Sequence, residues 1–286
     1  MKDNVFLILG GDDRSLYLGE YLEKQGLKVC YYAFNQTDCF STLKDAISEA
    51  SCIILPLPLS RDKATLNAPL FDGTVLLSDI CAIASPDKSF FGGQLPVSFC
   101  EALRDKGAFY CDYLLLEELA IYNAIPTAEG IIRVLIESLP ITIHGMRCGI
   151  TGYGKIGKVI ALTLLNLGAE VTIFARKESD LADAYTKGIR TKSYEDFTKE
   201  YFDFDALINT VPVRVIGERE LSSINPECVL IEAASSPFGI DFQAAREKAM
   251  EVIKASSLPG KVAPKTAGEI IGRSILPILK SRGLTD

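Results

Sequence analysis

The chain has 286 residues, 48% of them hydrophobic and 23% charged, which is typical of a globular protein with a sizeable buried core. Its formal net charge of −7 argues against nucleic acid as a partner, because binding to a phosphate backbone needs a basic surface. No segment resembles a membrane span or an export signal. The eight cysteines are scattered without a C-x-x-C pair, and the single histidine, His144, has no partner residue, so we expect reduced cytoplasmic thiols and no metal site.

The first part of the chain alternates strand-like and helix-like segments. The apolar run at residues 4–11 ends in two glycines, as a buried parallel strand does, and a helical pattern follows at residues 15–26. Two more strand-like runs occupy residues 28–34 and 51–59, and the alternation continues beyond them. This order predicts a doubly wound α/β domain with a parallel sheet, residues 1–122, which we expect to bind the substrate.

A second alternation begins after an amphipathic helix in which Pro126 suits the first helical turn. The segments that follow are strands at residues 146–154, 169–176, 205–212 and 228–236, and helices at residues 155–168 and 193–202. They predict a second doubly wound domain, a Rossmann dinucleotide-binding domain at residues 123–264.

The last predicted helix, residues 265–286, resembles the Pro126 helix in sequence. We therefore predict two crossing helices that join the domains and return the chain to complete the first one. This arrangement brings Thr127, Glu129 and Thr266 near the cleft between the domains. The alternative, a coincidence between two amphipathic helices, stays open.

The strongest motif is a G-x-G-x-x-G turn between a predicted strand and a predicted helix. We expect Gly152 to permit the tight turn, Gly154 to let the backbone approach a pyrophosphate, and Gly157 to allow close helix packing. The turn as a whole predicts cofactor contacts from Gly152, Tyr153, Gly154, Lys155, Ile156 and Gly157. Ligands lie beyond the carboxyl ends of parallel strands, which adds Thr210, Val211, Pro212 and Ser235.

Two cations follow the second strand of this domain, where an NAD-binding chain usually places an acid. Arg176 can hold a 2′-phosphate with two parallel hydrogen bonds, Lys177 adds charge, and Ser179 offers a hydroxyl in the same loop. The segment therefore predicts NADP(H) as the cofactor. A solvated charged turn is the alternative.

The first domain has a different turn, Gly10-Gly11-Asp12-Asp13-Arg14, after its first strand. Asp12 and Asp13 oppose a pyrophosphate, so we expect a substrate there rather than a second nucleotide. Arg14, at the start of a helix, is a candidate for holding a substrate carboxylate. Helix capping by Asp12 or Asp13 is the alternative interpretation.

Four segments resemble the dipicolinate synthase A-subunit family, in the same order over essentially the whole chain: GGDDRSLYL, NAIPTAEGII, GYGKIGKVIA and SLPGKVAPKTAGEII. The most specific stretch is LPGKVAPKTAG, residues 258–268, whereas GYGKIG alone fits many dehydrogenases. The architecture is also similar to that of 2-hydroxyacid dehydrogenases and S-adenosylhomocysteine hydrolase. Residues 236–239, SPFG, depart from the double glycine expected after the proline, so the shape of the loop near the nicotinamide stays open.

The resemblance implies a reaction in which 4-hydroxy-tetrahydrodipicolinate loses water and two electrons to give dipicolinate, with NADP⁺ as hydride acceptor. It also implies a flavoprotein-like B-subunit as partner, an oligomeric enzyme on a branch of the lysine/diaminopimelate pathway, and a place in sporulation in the mother-cell cytoplasm. Two alternatives stay open: an NADP-dependent dehydrogenase of another small hydroxy acid, and a non-catalytic NADP(H)-sensing protein. The single histidine disfavours the first, because the His/acid pair of hydroxyacid dehydrogenases cannot form.

The dianionic substrate of that reaction needs cations and groups that transfer protons. Candidates for substrate binding are Arg14, Lys155, Lys261, Lys265, Thr127 and Thr266. For catalysis we expect Glu129 and Asp12 to act as base or acid, and Lys155 to stabilise a developing anion. Structural roles stay open, with Glu129 as a cap of the helix start and Lys155 as a phosphate contact.

Overall fold

The structure is a computed structural model, and it describes residues 4–286. The chain divides into two compact units: the N-terminal unit, which comprises residues up to 123 together with 263–286, and the central unit, residues 124–262. The first three residues of the predicted substrate domain lie outside the described residues. The roles assigned to the two units, substrate binding and NADP binding, stay predictions.

The N-terminal unit is built on a five-stranded parallel sheet with the strand order β2-β1-β3-β4-β5. The strands are β1 (Val5–Leu9), β2 (Lys28–Tyr32), β3 (Cys52–Ile54), β4 (Ser89–Gly92) and β5 (Phe109–Asp112). The helices between them are α1 (Asp13–Lys24), α2 (Leu43–Glu49), α3 (Leu77–Ile83) and α4 (Val97–Asp105). A helix between each pair of parallel strands is the connection that a parallel sheet requires.

Helices cover both faces of this sheet, because side chains alternate along each strand. Phe6 and Ile8 of β1 pack with α1 and with the C-terminal helix α11 (Pro264–Ser281), whereas Leu7 packs with α2, α3 and α4. A Cβ at Gly268 of α11 would lie 2.4 Å from a backbone carbonyl oxygen of α1, so glycine is needed for this close approach.

The central unit contains a six-stranded parallel sheet with the order β11-β10-β9-β6-β7-β8. Its strands are β6 (Arg147–Thr151), β7 (Glu170–Ala175), β8 (Arg190–Ser193), β9 (Ala206–Asn209), β10 (Val229–Glu232) and β11 (Val252–Lys254). Its helices, apart from α5 (Glu117–Ser138), are α6 (Lys155–Asn166), α7 (Glu178–Thr186), α8 (Glu218–Leu221), α9 (Phe242–Glu247) and α10 (Leu258–Val262). This is the Rossmann arrangement, in which two three-stranded halves meet at β6 and β9. The predicted α/β class with two parallel sheets is confirmed.

The chain passes from the N-terminal to the central unit within helix α5 (Glu117–Ser138). The prediction that Pro126 occupies a first helical turn is wrong, because the helix begins well before it. Leu119 and Ala124, both fully buried, continue the apolar face ahead of the proline. Their packing outweighs the roughly 3 kcal/mol that an internal proline costs.

Helix α5 is also the one helix within residues 4–286 that is long and apolar enough to cross a membrane by length and composition. Ala128, Ile131 and Leu135 along it are buried in a core cluster of the central unit together with strands β6 and β7. Its apolar face is therefore used for packing within the fold.

One predicted helix of the central unit is mostly absent. Residues 193–202 contain the end of β8 and a short 3₁₀ helix, Tyr194–Thr198, instead. Phe197 is fully buried there, with its ring centroid 4.2 Å from that of Phe174. Packing of aromatic rings against the sheet thus replaces the regular helix that the local pattern favours.

Candidate functional site

The glycine-rich turn joins β6 to α6 at the carboxyl edge of the central sheet. Gly152 has a φ of +91°, a left-handed conformation that side-chain-bearing residues rarely adopt. A Cβ at Gly157 would lie 2.3 Å from the Gly152 carbonyl oxygen, so the helix can start this close to its strand only with glycine there. Both positions require glycine because of backbone geometry.

The N-terminus of α6 is open in front of Gly154, its N-cap residue. Apart from Gly154 itself and its two chain neighbours, a Cβ built at Gly154 would meet no atom of the described residues within 4 Å. The first backbone amides of any helix have no acceptor within the helix, and the helix dipole adds partial positive charge there. Because a Rossmann turn holds a pyrophosphate at such a helix end, the residues present fit a nicotinamide dinucleotide.

Tyr153 anchors the turn to the body of the unit. Its side chain is buried, and the ammonium groups of Lys158 and Lys187 lie 5.0 Å and 5.6 Å from its ring centroid. Asp183 accepts hydrogen bonds from both ammonium groups. The bond from Lys187 has the larger effect and the bond from Lys158 the next, and both lower the pKa of Asp183. The carboxylate and the two ammonium groups therefore stay charged at neutral pH.

A cavity of about 370 Å³ lies beside the glycine turn. Its walls come from the turn itself, the segment after β7, Tyr194, and the loop after β9. The predicted cofactor contacts Thr210, Val211 and Pro212 line it. Ser235 belongs to a different loop, the one after β10, and is exposed.

The two cations after β7 border the same cavity. Arg176 and Lys177 both line it, and Lys177 is the N-cap residue of α7. Ser179 lies in the exposed first turn of α7, not in the loop where we expected it. Asp180 lines the cavity instead, so a carboxylate that sequence reasoning missed stands beside the two cations.

Tyr194 was also missed, although its side chain forms one wall of the cavity. Burial raises its pKa to about 12, an effect that the Gly152 backbone and Arg176 partly offset. The phenol is therefore neutral in the physiological range and lies within reach of both the glycine turn and the cations. It follows β8 in the chain, and no local motif marks it as part of the site.

A buried polar network links the carboxyl ends of three strands. The Thr151 hydroxyl of β6 donates to Asn209 Oδ1 of β9 at 2.7 Å, and Asn209 Nδ2 donates to Glu232 Oε1 of β10 at 2.6 Å. All three side chains are almost completely buried. Their sequence signal is a polar residue at the end of each apolar strand, which sequence reasoning had not used.

The loop after β10 contains the SPFG segment. Phe238 has a φ of +68°, in the region that favours glycine. Its ring packs edge-to-face on Phe242 at 5.5 Å, and the Lys254 ammonium lies 5.2 Å from its centroid. The loop thus keeps a glycine-type backbone without a glycine at this position, supported by aromatic and cation–π contacts.

The corresponding turn of the N-terminal unit is closed by its own side chains. Asp12 is the N-cap of α1 and accepts a hydrogen bond from the Arg14 amide at 3.1 Å. Arg14 Nε and Nη2 both donate to the Asp12 carboxylate, and Nη2 also donates to the Leu57 carbonyl. Burial alone lowers the pKa of Arg14, but the bonds and charge of Asp12 outweigh it and raise the pKa. Asp12 therefore caps α1, as the alternative interpretation of the sequence expected. The predicted substrate roles of Asp12 and Arg14 stay predictions.

The remaining predicted residues lie on helices. Thr127 is buried on α5 and Glu129 is exposed on it, well inside the helix, so Glu129 does not cap a helix start. The exposed candidates are Lys155 on α6, Lys261 on α10, and Lys265 and Thr266 at the start of α11. Their substrate and catalytic roles stay predictions.

Metal-ligating side chains do not converge in the part of the chain that the structure describes. Residues 4–286 contain no cluster of three or more His, Cys, Asp or Glu side chains placed to hold a metal ion. His144 is exposed just before β6, at the edge of the sheet opposite to the glycine turn, and all eight cysteines are free thiols.

Two family models match the chain, one in each part. The model described as the N-terminal domain of the dipicolinate synthase A-subunit matches residues 5–114. The model described as the NAD-binding domain of D-isomer-specific 2-hydroxyacid dehydrogenases matches residues 133–238, which include the glycine turn and the cavity. A nicotinamide dinucleotide is therefore the cofactor of the central unit.

Relatives match over the whole length. The dipicolinate synthase A-subunit of Bacillus subtilis (strain 168) is 30% identical over 280 residues, covering 95% of this chain and 94% of that protein. The crystal structure of the Bacillus subtilis protein has a TM-score of 0.89 at 28% identity and covers 100% of this chain and 99% of its own. That of the Bacillus halodurans protein has a TM-score of 0.88 at 26% identity, covering 97% and 98%. The chain therefore belongs to the dipicolinate synthase A-subunit family and is an NAD(P)-dependent oxidoreductase with a role in dipicolinate synthesis.

Proposed function

We propose that this chain oxidises 4-hydroxy-tetrahydrodipicolinate to dipicolinate, pyridine-2,6-dicarboxylate, with NADP⁺ as the acceptor. The substrate loses one water and, as a hydride and a proton, two hydrogens, which leaves an aromatic ring and one NADPH. The Bacillus subtilis relative, named as part of dipicolinate synthase, supports the product. The observation that carries the oxidative step is the open N-terminus of α6 beside a cavity bordered by Arg176 and Lys177.

The choice of NADP over NAD rests on the segment after β7. Arg176 presents a guanidinium that can hold a 2′-phosphate with two parallel bonds, and Lys177 adds a second charge. Asp180 opposes this preference in part, because it brings one carboxylate to the same cavity. Two cations against one carboxylate leave a net positive wall, which favours the phosphorylated cofactor.

The chemistry divides between the cofactor and the chain. A dinucleotide held at the glycine turn would supply the acceptor for a hydride from a ring carbon of the substrate. The chain would hold the pyrophosphate at the α6 amides, and Glu129 is our exposed candidate for proton transfer. Lys155, also exposed, is our candidate for stabilising a developing anion. Asp12 is a weaker candidate, because its carboxylate already caps α1 and binds Arg14.

Membership of the family supports a proposal for the partner and for the location. The Bacillus subtilis relative is named as one component of a multi-subunit enzyme, and we propose that this chain works with a flavoprotein-like B-subunit in an oligomer. The place of action is the mother-cell cytoplasm during sporulation, on the branch that leaves the lysine/diaminopimelate pathway.

A paired assay tests the reaction. The chain, with and without a co-purified B-subunit, receives freshly generated 4-hydroxy-tetrahydrodipicolinate and NADP⁺, and NADPH and dipicolinate are followed together. We expect the two products to appear in equal amounts in at least one arrangement. Cofactor binding without either product in both arrangements contradicts the assigned substrate.

The cofactor choice has its own test in Arg176→Ala. Loss of a charge-assisted bidentate contact should weaken NADP⁺ binding roughly 10- to 100-fold and leave NAD⁺ binding within about twofold, measured by calorimetry. The matched control is Arg190→Ala, which removes an exposed cation that pairs with Glu170 at 2.8 Å. Equal loss for both cofactors in Arg176→Ala contradicts the assignment of the 2′-phosphate to this residue.

A further inference from the structure

Glu232 is a carboxylate buried at the end of β10, with only 2% of its surface exposed. Burial of an ionised carboxylate is costly unless hydrogen bonds replace its water. Oε1 accepts from Asn209 Nδ2 at 2.6 Å and from the Ala234 amide at 3.0 Å. Oε2 accepts from the amides of Gly239 and Ile240, both at 2.9 Å. The carboxylate therefore holds both ends of the loop at residues 233–240.

Asn209 holds a second loop in the same way. Its Nδ2 donates to Glu232 and to the Val211 carbonyl at 2.9 Å, while its Oδ1 accepts from Thr151 Oγ1 and from the Val211 amide at 3.1 Å. The side-chain amide has two donor hydrogens and two acceptor positions, and all four are used. Asn209 and Glu232 together tie the loop after β9 to the loop after β10.

The loop after β10 is held in a conformation that it would not choose alone. Phe238 lies at a positive φ, and a Cβ at Gly239 would fall 2.4 Å from Asn209 Nδ2. Such backbone conformations cost free energy and persist where the surrounding structure over-determines them, which is common at ligand sites. The four hydrogen bonds to Glu232 fix the loop in this conformation.

The position of the loop after β10 assigns it to one half of the cofactor. A Rossmann sheet consists of two mononucleotide-binding halves, and a dinucleotide lies across the carboxyl ends of the strands where they meet. Strands β6, β7 and β8, with Arg176, form the half that takes the adenosine phosphate in our proposed function. The loop after β10 belongs to the other half, which faces the nicotinamide, and the loop after β9 runs from that half to the cavity beside Arg176.

We propose that Asn209 and Glu232 are positioning residues for the nicotinamide half of the cofactor. They act through the two loops and need not touch the ligand. The assignment rests on the proposed function only in that a nicotinamide dinucleotide binds the central unit, and it holds for NADP or NAD alike.

The test compares a complete cofactor with a fragment that lacks nicotinamide. Calorimetry measures the binding of NADP⁺ and of 2′-phospho-ADP-ribose to the full chain and to Asn209→Asp and Glu232→Gln variants. Asn209→Asp sets two carboxylates against each other, and Glu232→Gln turns an amide group toward backbone N–H donors. We expect each variant to weaken NADP⁺ binding roughly tenfold and to weaken binding of the fragment clearly less, by under about twofold for Glu232→Gln.

The double variant Asn209→Asp/Glu232→Gln separates a specific pair from general damage. The exchanged amide can donate to the exchanged carboxylate, so this bond is restored with its polarity reversed. We expect the double variant to bind NADP⁺ at least about threefold more tightly than whichever single variant has the lower affinity for NADP⁺. Additive losses contradict the proposed coupling.

Two further arms keep the result decisive. Thr151→Val removes only the outermost hydroxyl of the network and gives a milder change in the same direction if a single variant at Asn209 or Glu232 unfolds. Asn225→Asp changes a half-buried amide that pairs with Asp203; it is the matched control and should change the binding of neither ligand. The positioning role is overturned if any folded network variant lowers the affinities for the cofactor and the fragment by the same factor. It is also overturned if such a variant lowers neither affinity.

The same titrations with NAD⁺ and ADP-ribose on the wild-type chain are made first. A wild-type preference for NAD⁺ overturns the proposed cofactor, and the positioning test then proceeds with that pair. Failure of the proposed function and failure of this inference thus give different results.

Discussion

The two glycine turns of this molecule have the same place in their sheets but opposite electrostatics. Each follows the first strand of its unit, β1 or β6, and each leads into a 12-residue helix, α1 or α6. In the N-terminal unit, Asp12 caps α1 and Arg14 folds back on that carboxylate. In the central unit, Gly154 leaves the N-terminus of α6 without a side-chain cap.

The difference shows when a helix N-terminus can serve as an anion site. The first amides of every helix need acceptors, and a protein can supply them from its own side chains or leave them for a ligand. The N-terminal unit takes the first solution and the central unit the second. The glycines alone do not distinguish them, since Gly10, Gly11 and Gly152 all have positive φ.

The cavities next to the second strand of each unit extend the comparison. They have similar volumes, about 400 Å³ in the N-terminal unit and about 370 Å³ in the central unit. Asp13 and Asp72 contribute carboxylates to the first, whereas Arg176 and Lys177 contribute cations to the second. An anionic cofactor is therefore expected in the central unit and not in the other.

The most direct test of this difference is to give α6 the aspartate cap that α1 has. Gly154 has φ −80° and ψ −164°, a conformation open to any residue, so Gly154→Asp should fold normally. Its carboxylate then occupies the phosphate position, and we expect calorimetry to show cofactor binding roughly 100-fold weaker or worse. Gly154→Ala, which adds a Cβ without charge, should have a much smaller effect. Equal losses in both variants contradict the electrostatic explanation.

The reverse change in the N-terminal unit should affect stability instead of cofactor binding. Asp12→Ala removes the cap of α1 and leaves Arg14, whose side chain is 11% exposed, without its carboxylate. The free energy of unfolding of this unit should fall by roughly 2–4 kcal/mol, measured by hydrogen exchange of the α1 amides. Asp13→Ala, a change at the next residue, is the control and should cost below about 1 kcal/mol. A drop in cofactor affinity after Asp12→Ala contradicts the separation of the two turns.

A smaller effect concerns Tyr194, which supports the turn of the central unit from outside as Asp12 supports the other from within. Its folded pKa of about 12 exceeds the value near 10 of an unfolded chain. The stability it contributes is therefore complete below about pH 10 and is lost between about pH 10 and pH 12. In Tyr194→Phe this loss, up to roughly 2 kcal/mol in urea titrations, should be missing, and cofactor affinity at neutral pH should change by less than about threefold. Identical pH profiles for both proteins contradict the role of burial.

Local sequence patterns predicted most of the fold and the glycine turn at the centre of the candidate site. The alternation of apolar strands and helices predicted two parallel sheets, and the glycine spacing marked the turn before α6. Where packing competed with local preference, prediction was wrong. Pro126 lies inside α5 because Leu119 and Ala124 are buried ahead of it. Residues 193–202 do not form a regular helix, because aromatic packing competes with it.

By itself, the sequence determined the class of fold, the glycine turn and the cations that follow β7, because these depend on periodicity and on neighbours in the chain. Only the tertiary structure decided what surrounds them. Thr151 and Asn209 are 58 residues apart and Asn209 and Glu232 are 23 apart, so their network exists only once β6, β9 and β10 lie side by side. The order of strands in a sheet is set by the packing of the whole unit, and no local pattern contains it.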